Sequence, residues 1–164
     1  MEIRPTTRRD IAAVDALLAA SYPVLLKADY PPSVLVTALP LISRAQPKLV
    51  TCGTYYGVFE GQTLVGAGGW TMAAPGGAQS RAKAAHIRHV VTDHRRVREG
   101  GGRLLMAHIF AKAAEAGVNF LACQSTLTAA PYYRAMGFEG EQVISVPLRA
   151  GIDFPAVSMG RALP

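Results

Sequence analysis

The stretch His86-Ile-Arg-His-Val-Val-Thr-Asp-His-Arg-Arg-Val-Arg-Glu-Gly-Gly-Gly-Arg-Leu-Leu-Met106 reads as a strand, a basic loop, a glycine turn and the start of a helix. A helix start carries unsatisfied backbone N–H groups and the positive end of the helix dipole, so it attracts anions. Arg95, Arg96, Arg98 and Arg103 surround the turn. These residues predict a site for a phosphate-bearing ligand at the end of a buried strand.

The bulk properties agree with a compact ligand. A chain of 164 residues suits one domain with one core. Half of it is hydrophobic and 17% is charged, which describes a globular protein rather than a disordered one. The net charge of +6 suits nucleic acid, a membrane surface or a small anion. The arginines cluster in one loop instead of alternating with aromatics, so the small anion is favoured and neither nucleic acid nor membrane is expected. Cys52 and Cys123 share no metal-ligand spacing and are too few for a disulfide framework. They are expected as buried thiols in a reducing compartment, with no metal. The first residues lack the apolar core of a secretory signal. The longest apolar stretch, Ser33 to Ile42, is short for a membrane span and contains Pro40. A soluble cytoplasmic protein is expected.

Outward from the opening stretch, Glu2 to Pro5 suits a first strand. Thr7-Arg-Arg-Asp10 has capping-box spacing, with Ile11, Val14, Leu17 and Leu18 following at helical intervals. This first helix is expected to fray near Ser21-Tyr22-Pro23. Pro31-Pro32 announces a second helix, which Pro40 should kink or end. Thr54 to Glu60 and Thr63 to Thr71 are β-rich runs joined by a turn, a hairpin signal. Ala73 to Lys83 reads as an exposed loop. A central strand is expected from Ala85 to about Thr92, and a helix from Gly101 to about Ala116. In that helix His108, Lys112 and Glu115 should face water, while Met106, Ile109, Phe110 and Ala113 pack on the sheet. Val118 to Cys123 reads as a strand parallel to the central one. A short helix, Ala129 to Met136, and a closing antiparallel pair, Glu141 to Leu148 and Phe154 to Arg161, complete one domain.

Three glycine-turn chemistries compete for the anion site. A P-loop needs Lys-Ser or Lys-Thr after its last glycine, but Arg103-Leu104 follows Gly102. A dinucleotide fingerprint needs a third glycine where Leu105 stands, and a carboxylate that Phe120 to Ser125 lacks. The third rests on two motifs, Val90 to Leu105 and Ala129-Ala-Pro-Tyr-Tyr-Arg-Ala-Met-Gly-Phe138. Together, in this order and separation, they resemble the strand, pyrophosphate loop and late helix of the GNAT superfamily of acyl-CoA-dependent N-acyltransferases. The family loop pattern is Arg/Gln-x-x-Gly-x-Gly/Ala. One register uses Arg96 and Gly101 but puts Glu99 at the first glycine. The preferred one uses Gly100 and Gly102, with Val97 at the basic position and Glu99 pointing outwards.

The resemblance implies an α/β (α+β) fold, a twisted, mixed but mostly antiparallel sheet of about seven strands with about four flanking helices. It also implies acetyl transfer from acetyl-CoA to an amine by direct attack in a ternary complex. Coenzyme A would be held by Val90, Val91 and Thr92 along its pantetheine arm, and by Val97, Arg98, Glu99, Gly100, Gly101, Gly102 and Arg103 around its pyrophosphate. Tyr133 matches the family's tyrosine that can protonate the departing thiolate, and is expected as that proton donor. An alkyl ammonium with a pKa of roughly 10 must lose a proton; His86, on the 86, 88, 90, 92 face of its strand, is the first candidate base, His89 on the opposite face is the alternative, and a water chain with no single base stays open. A non-catalytic acyl-CoA-binding module on the same fold is the competing function. Family members often dimerise, so a homodimer is one assembly open to this chain.

Overall fold

The computed structural model describes residues 1–75 and 83–164. Strand β1 (Glu2–Pro5) leads through a single 3-10 turn into helix α1 (Ile11–Leu26). The Asp10 carboxylate fixes this entry: it accepts the Thr7 N–H at 2.7 Å and holds both Arg4 guanidinium nitrogens at 2.9 and 3.0 Å. Helix α1 does not fray at Tyr22-Pro23 as expected. A proline inside a helix costs about 3 kcal/mol. Ser21, Tyr22 and Leu26 are all buried here, and a large apolar side chain gains about 1.5–3 kcal/mol on burial, so packing carries the helix past Pro23.

Helix α2 (Pro32–Ile42) ends two residues after Pro40, and a single-turn helix α3 (Pro47–Val50), absent from the sequence reading, follows it. The hairpin forms as expected from β2 (Tyr55–Glu60) and β3 (Thr63–Thr71), and the central strand β4 spans Ala84–Thr92. Most of the loop expected between Ala73 and Lys83 lies outside the described residues. After it come α4 (Gly101–Glu115), β5 (Phe120–Thr126), α5 (Ala130–Ala135), β6 (Glu139–Arg149) and β7 (Ile152–Ala162). The described residues thus form five α-helices where about four were expected.

The seven strands make one sheet in the order β1-β2-β3-β4-β5-β7-β6. Every pairing is antiparallel except β4–β5. One face is covered by α4 and α5, whose Leu105, Met106, Ile109 and Tyr133 pack with Ile87 and Leu121. The other is covered by α1 to α3, whose Val14, Leu18, Leu35 and Val50 pack with Tyr55, Val91 and Phe154. No helix among the described residues is long and apolar enough to cross a membrane.

Two irregularities position the site. The first is a β-bulge. Ala67 pairs with Val91 but Gly69 pairs with Arg88, so His89 and Val90 together stand opposite Gly68. His89 has φ +49°, a left-handed conformation uncommon away from glycine. The extra residue reverses the alternation of β4: Ala85, Ile87 and Val90 pack on the α4 side, Val91 on the α1 side. Positions 86, 88, 90 and 92 therefore do not share one face, as simple alternation required. Gly68 is needed opposite the bulge, because a Cβ there would lie 2.7 Å from the Val90 side chain.

The second irregularity is a splay. The parallel β4–β5 ladder covers three positions, from Ala84↔Phe120 to His86↔Ala122. Beyond them β4 stays with β3 and β5 stays with β7, and the two strands part.

Two solvation expectations are corrected. His108 is half-buried, with its ring edge-on to Tyr56 at 4.6 Å, because an aromatic edge contact outweighs hydration of one imidazole face. Lys112 and Glu115 do face water and pair at 3.3 Å. Cys52 is exposed, since it falls in the turn after α3, whereas Cys123 on β5 is buried.

Candidate active site

The splay opens a cleft of about 950 Å³ that reaches both faces of the sheet. At one end is the start of α4. The first helical hydrogen bond there runs from Leu104 N–H to the Gly100 carbonyl, 3.0 Å. The N–H groups of Gly101, Gly102 and Arg103 precede it and have no acceptor within the helix. Arg98 and Gly100, with φ of +65° and +91°, turn the chain so that this end faces the cleft.

The four arginines of the loop divide into two pairs. Arg95 is committed to the buried Asp93, with its Nε at 3.1 Å and Nη2 at 2.9 Å from the carboxylate. Those donated hydrogen bonds hold the Asp93 carboxyl at a pKa of about 2, well below the usual range. Arg96 bridges Glu60 on β2 and Glu99. Glu99 is thereby turned outwards and does not line the cleft. Arg98 and Arg103 line the cleft, as do Val97 and the three glycines, and neither arginine has a carboxylate partner among the described residues.

Val90, Val91 and Thr92 form the β4 wall of the cleft. Beyond His86 the β4 edge facing β5 pairs with no strand among the described residues. Two tyrosines on the α1-side face reach this backbone: Tyr55 donates to the His89 carbonyl at 2.8 Å and Tyr22 to the Val90 carbonyl at 3.3 Å.

Tyr133 on α5 and Cys123 on β5 both line the cleft as neighbours. Burial, then the neighbouring Cys123, raises the Tyr133 pKa well above that of a free phenol. Burial likewise pushes the Cys123 thiol up to about 12, so it is no thiolate nucleophile at neutral pH. The Tyr133 ring is clamped edge-on by Tyr132 and Phe138, at 5.1 and 5.3 Å. Tyr132 donates to the Gly102 carbonyl at 2.6 Å and so ties α5 to the anion end.

The two histidines separate. His89 lines the cleft, and its Nε2 lies 2.8 Å from the Ile42 carbonyl, an acceptor, so Nε2 carries the proton and Nδ1 is free to accept one. Its pKa is lowered, mainly by burial, which keeps it neutral at neutral pH. His86 does not line the cleft. Its Nε2 is buried without a hydrogen-bond partner among the described residues, and burial lowers its pKa as well. The cleft also contains Arg88, Gln46 and Tyr22, which sequence reasoning did not single out. Nothing local marks them, since they converge only through the bulge and the packing of α1 to α3. Among the described residues no group of three or more His, Cys, Asp or Glu is placed to hold a metal ion.

Comparisons with known proteins fit this geometry. Residues 2–140 match the family model described as an acetyltransferase (GNAT) domain. No curated protein matches the chain in sequence. Among solved structures, the chain resembles a GCN5-related N-acetyltransferase from Rhodopseudomonas palustris, with TM-score 0.81, 18% identity and coverage of 99% of this chain and 95% of that one. It resembles the PaiA N-acetyltransferase of Thermoplasma acidophilum, solved with coenzyme A, with TM-score 0.73 and 13% identity over 98% of each chain. The ribosomal-protein-S18-alanine N-acetyltransferase of Escherichia coli aligns with TM-score 0.64 and 16% identity, over 99% of this chain and 93% of that one.

Proposed function

The chain belongs to the GNAT acetyltransferase family, and from that premise we propose that it transfers the acetyl group of acetyl-CoA directly to the amine of a small molecule or peptide. The observation that carries this reading is the joining of three features in one cleft: the start of α4, the unpartnered β4 edge and Tyr133.

The residues present suit coenzyme A. Its pyrophosphate matches the free N–H groups of Gly101, Gly102 and Arg103 and the unpaired guanidinium groups of Arg98 and Arg103. Its amide-bearing pantetheine arm matches the backbone of Val90 to Thr92, which has no neighbouring strand beyond the splay. A β4 amide N–H donated to the thioester carbonyl would stabilise the oxyanion that develops there, an effect typically worth about 3 kcal/mol.

Proton balance assigns the remaining roles. The ammonium first loses one proton to solvent, and as the neutral amine forms the C–N bond its nitrogen becomes acidic enough for the neutral Nδ1 of His89 to accept the second proton from inside the cleft. The new C–N bond forms as the C–S bond breaks. Tyr133 stays protonated throughout, because burial raises its pKa, and its hydroxyl donates a hydrogen bond to the departing sulfur. Full proton transfer from so weak an acid to a thiolate is uphill, so the thiol's final proton comes from solvent or the displaced ammonium proton. Cys123, neutral and buried, takes no covalent part. Orientation of two bound reactants supplies the rest of the acceleration.

The test is release of free coenzyme A thiol from acetyl-CoA across a panel of amines, amino acids and peptide N-termini, with the acetylated product identified by mass. Amine-dependent release is expected. Tight coenzyme A binding without turnover on any acceptor would overturn the enzyme reading and leave an acyl-CoA-binding module.

A further inference from the structure

We propose that the acceptor is an apolar amino acid whose carboxylate is bound by Arg88, which makes Arg88 the specificity-determining residue of the cleft. This rests on the acetyl-transfer reading above and narrows its substrate.

Arg88 is a half-buried guanidinium with no counter-ion. Its Nη1 donates to the Thr71 hydroxyl at 3.1 Å and its Nη2 to the Gln46 side-chain oxygen at 3.3 Å, both neutral acceptors. No carboxylate lies within ion-pair distance of it among the described residues. The undescribed segment supplies none either, because Gly76-Gly-Ala-Gln-Ser-Arg-Ala82 contains no Asp or Glu. A charge taken partly out of water without a partner is costly, and burial is the largest influence on this group, lowering its pKa. The planar fork has five N–H donors, so capacity for a bidentate carboxylate remains.

The surroundings specify the rest of the ligand. Arg88 lines the cleft with Gln46 and His89 from β4 before the bulge, whereas Arg98 and Arg103 flank the start of α4, so it is not needed for the pyrophosphate. Leu25, Leu26, Ile42, Leu148 and Phe154 supply apolar walls from α1, α2, β6 and β7. No Asp or Glu lines any part of the cleft, which disfavours polyamines and other polycationic acceptors. The Arg88 guanidinium bonds Gln46 and the His89 ring bonds the Ile42 carbonyl, both at the α2–α3 junction, so the two head groups face the same side of the cleft. A carboxylate held on the first brings an amine attached one carbon away beside the second. In a peptide the terminal amine and carboxylate are far apart, so a free amino acid fits and a peptide does not.

The experiment compares L-leucine, L-leucinamide and 3-methylbutylamine as acceptors with acetyl-CoA, using the wild-type protein and Arg88→Gln. The wild type is expected to prefer leucine over its amide by about 10- to 100-fold in kcat/KM, mostly through KM, the range for one charged hydrogen-bonded contact. Arg88→Gln is expected to erase the preference while leaving coenzyme A affinity unchanged. The wild-type ratio stands as a test even if the variant does not fold. Equal use of acid and amide, or a preference that survives Arg88→Gln, would overturn the inference and leave acetyl transfer intact. Failure to acetylate any amine in the wider panel would overturn both.

Discussion

Replacing Arg98 and Arg103 with glutamine removes the two guanidinium groups that line the anion end of the cleft without a carboxylate partner. A hydrogen bond to a charged group contributes about 1.5–3 kcal/mol when well sheltered. Both side chains here are exposed, so solvent screening brings each contact down to about 1 kcal/mol. Each single substitution should therefore weaken coenzyme A about fivefold, and the double variant about 25-fold if the two act independently. Binding should not vanish, because the N–H groups at the start of α4 are untouched. Arg95→Gln is the control. Its guanidinium already sits 2.9 Å from Asp93 and points away from the cleft, so affinity should change less than about twofold. Titration calorimetry with coenzyme A at low and high salt reads both effects, and the double variant should also lose most of the salt dependence. The division of the arginines is refuted if Arg95→Gln weakens binding as much as Arg98→Gln, or if the double variant binds like the wild type.

Other expectations follow from the same geometry. Tyr133→Phe keeps the ring between Tyr132 and Phe138, so coenzyme A affinity and melting temperature should hold while kcat falls by about 10- to 100-fold; unchanged turnover would remove Tyr133 from the chemistry. Gly69→Ala should cost about 2–3 kcal/mol in urea unfolding, because the new Cβ would press on the Thr54 carbonyl oxygen and lie 2.6 Å from the Tyr55 Cα, backbone that cannot move aside cheaply. The folded Asp93 carboxyl titrates at about 2 against about 3.9 unfolded. Its depressed pKa therefore adds stability that is present above about pH 4 and is lost as pH falls through about 2. Screening at the exposed Arg95 reduces that contribution to about 1 kcal/mol, and Asp93→Asn should flatten this acid limb by that amount in denaturant titrations.

What the sequence made legible was the periodic part. The β2–β3 hairpin, the parallel β4–β5 pair and the helix after Gly100 all follow from local patterns, and the structure has each of them. The four-residue α3 escaped because one turn around Pro47 carries no periodicity. The bulge escaped because nothing in Arg88-His89-Val90 announces a positive φ at histidine. That one residue put Val90 on the opposite face from His86 and turned His89 into the cleft beside Arg88. The pairing of Arg96 was illegible for another reason: Glu60 stands 36 positions away and meets it only once the hairpin has packed beside the loop. The place of Tyr133 came from motif resemblance rather than from any property of the Tyr-Tyr pair. Its burial beside Cys123 is a product of tertiary packing.

A crystal structure of the protein grown with coenzyme A bears most directly on the central claim. Density is expected along the β4 edge, with the pyrophosphate on the N–H groups of Gly101 to Arg103, the pantetheine beside Val90 to Thr92, and the sulfur next to the Tyr133 hydroxyl. Coenzyme A bound elsewhere, or a cleft that stays empty at saturating concentration, would contradict it.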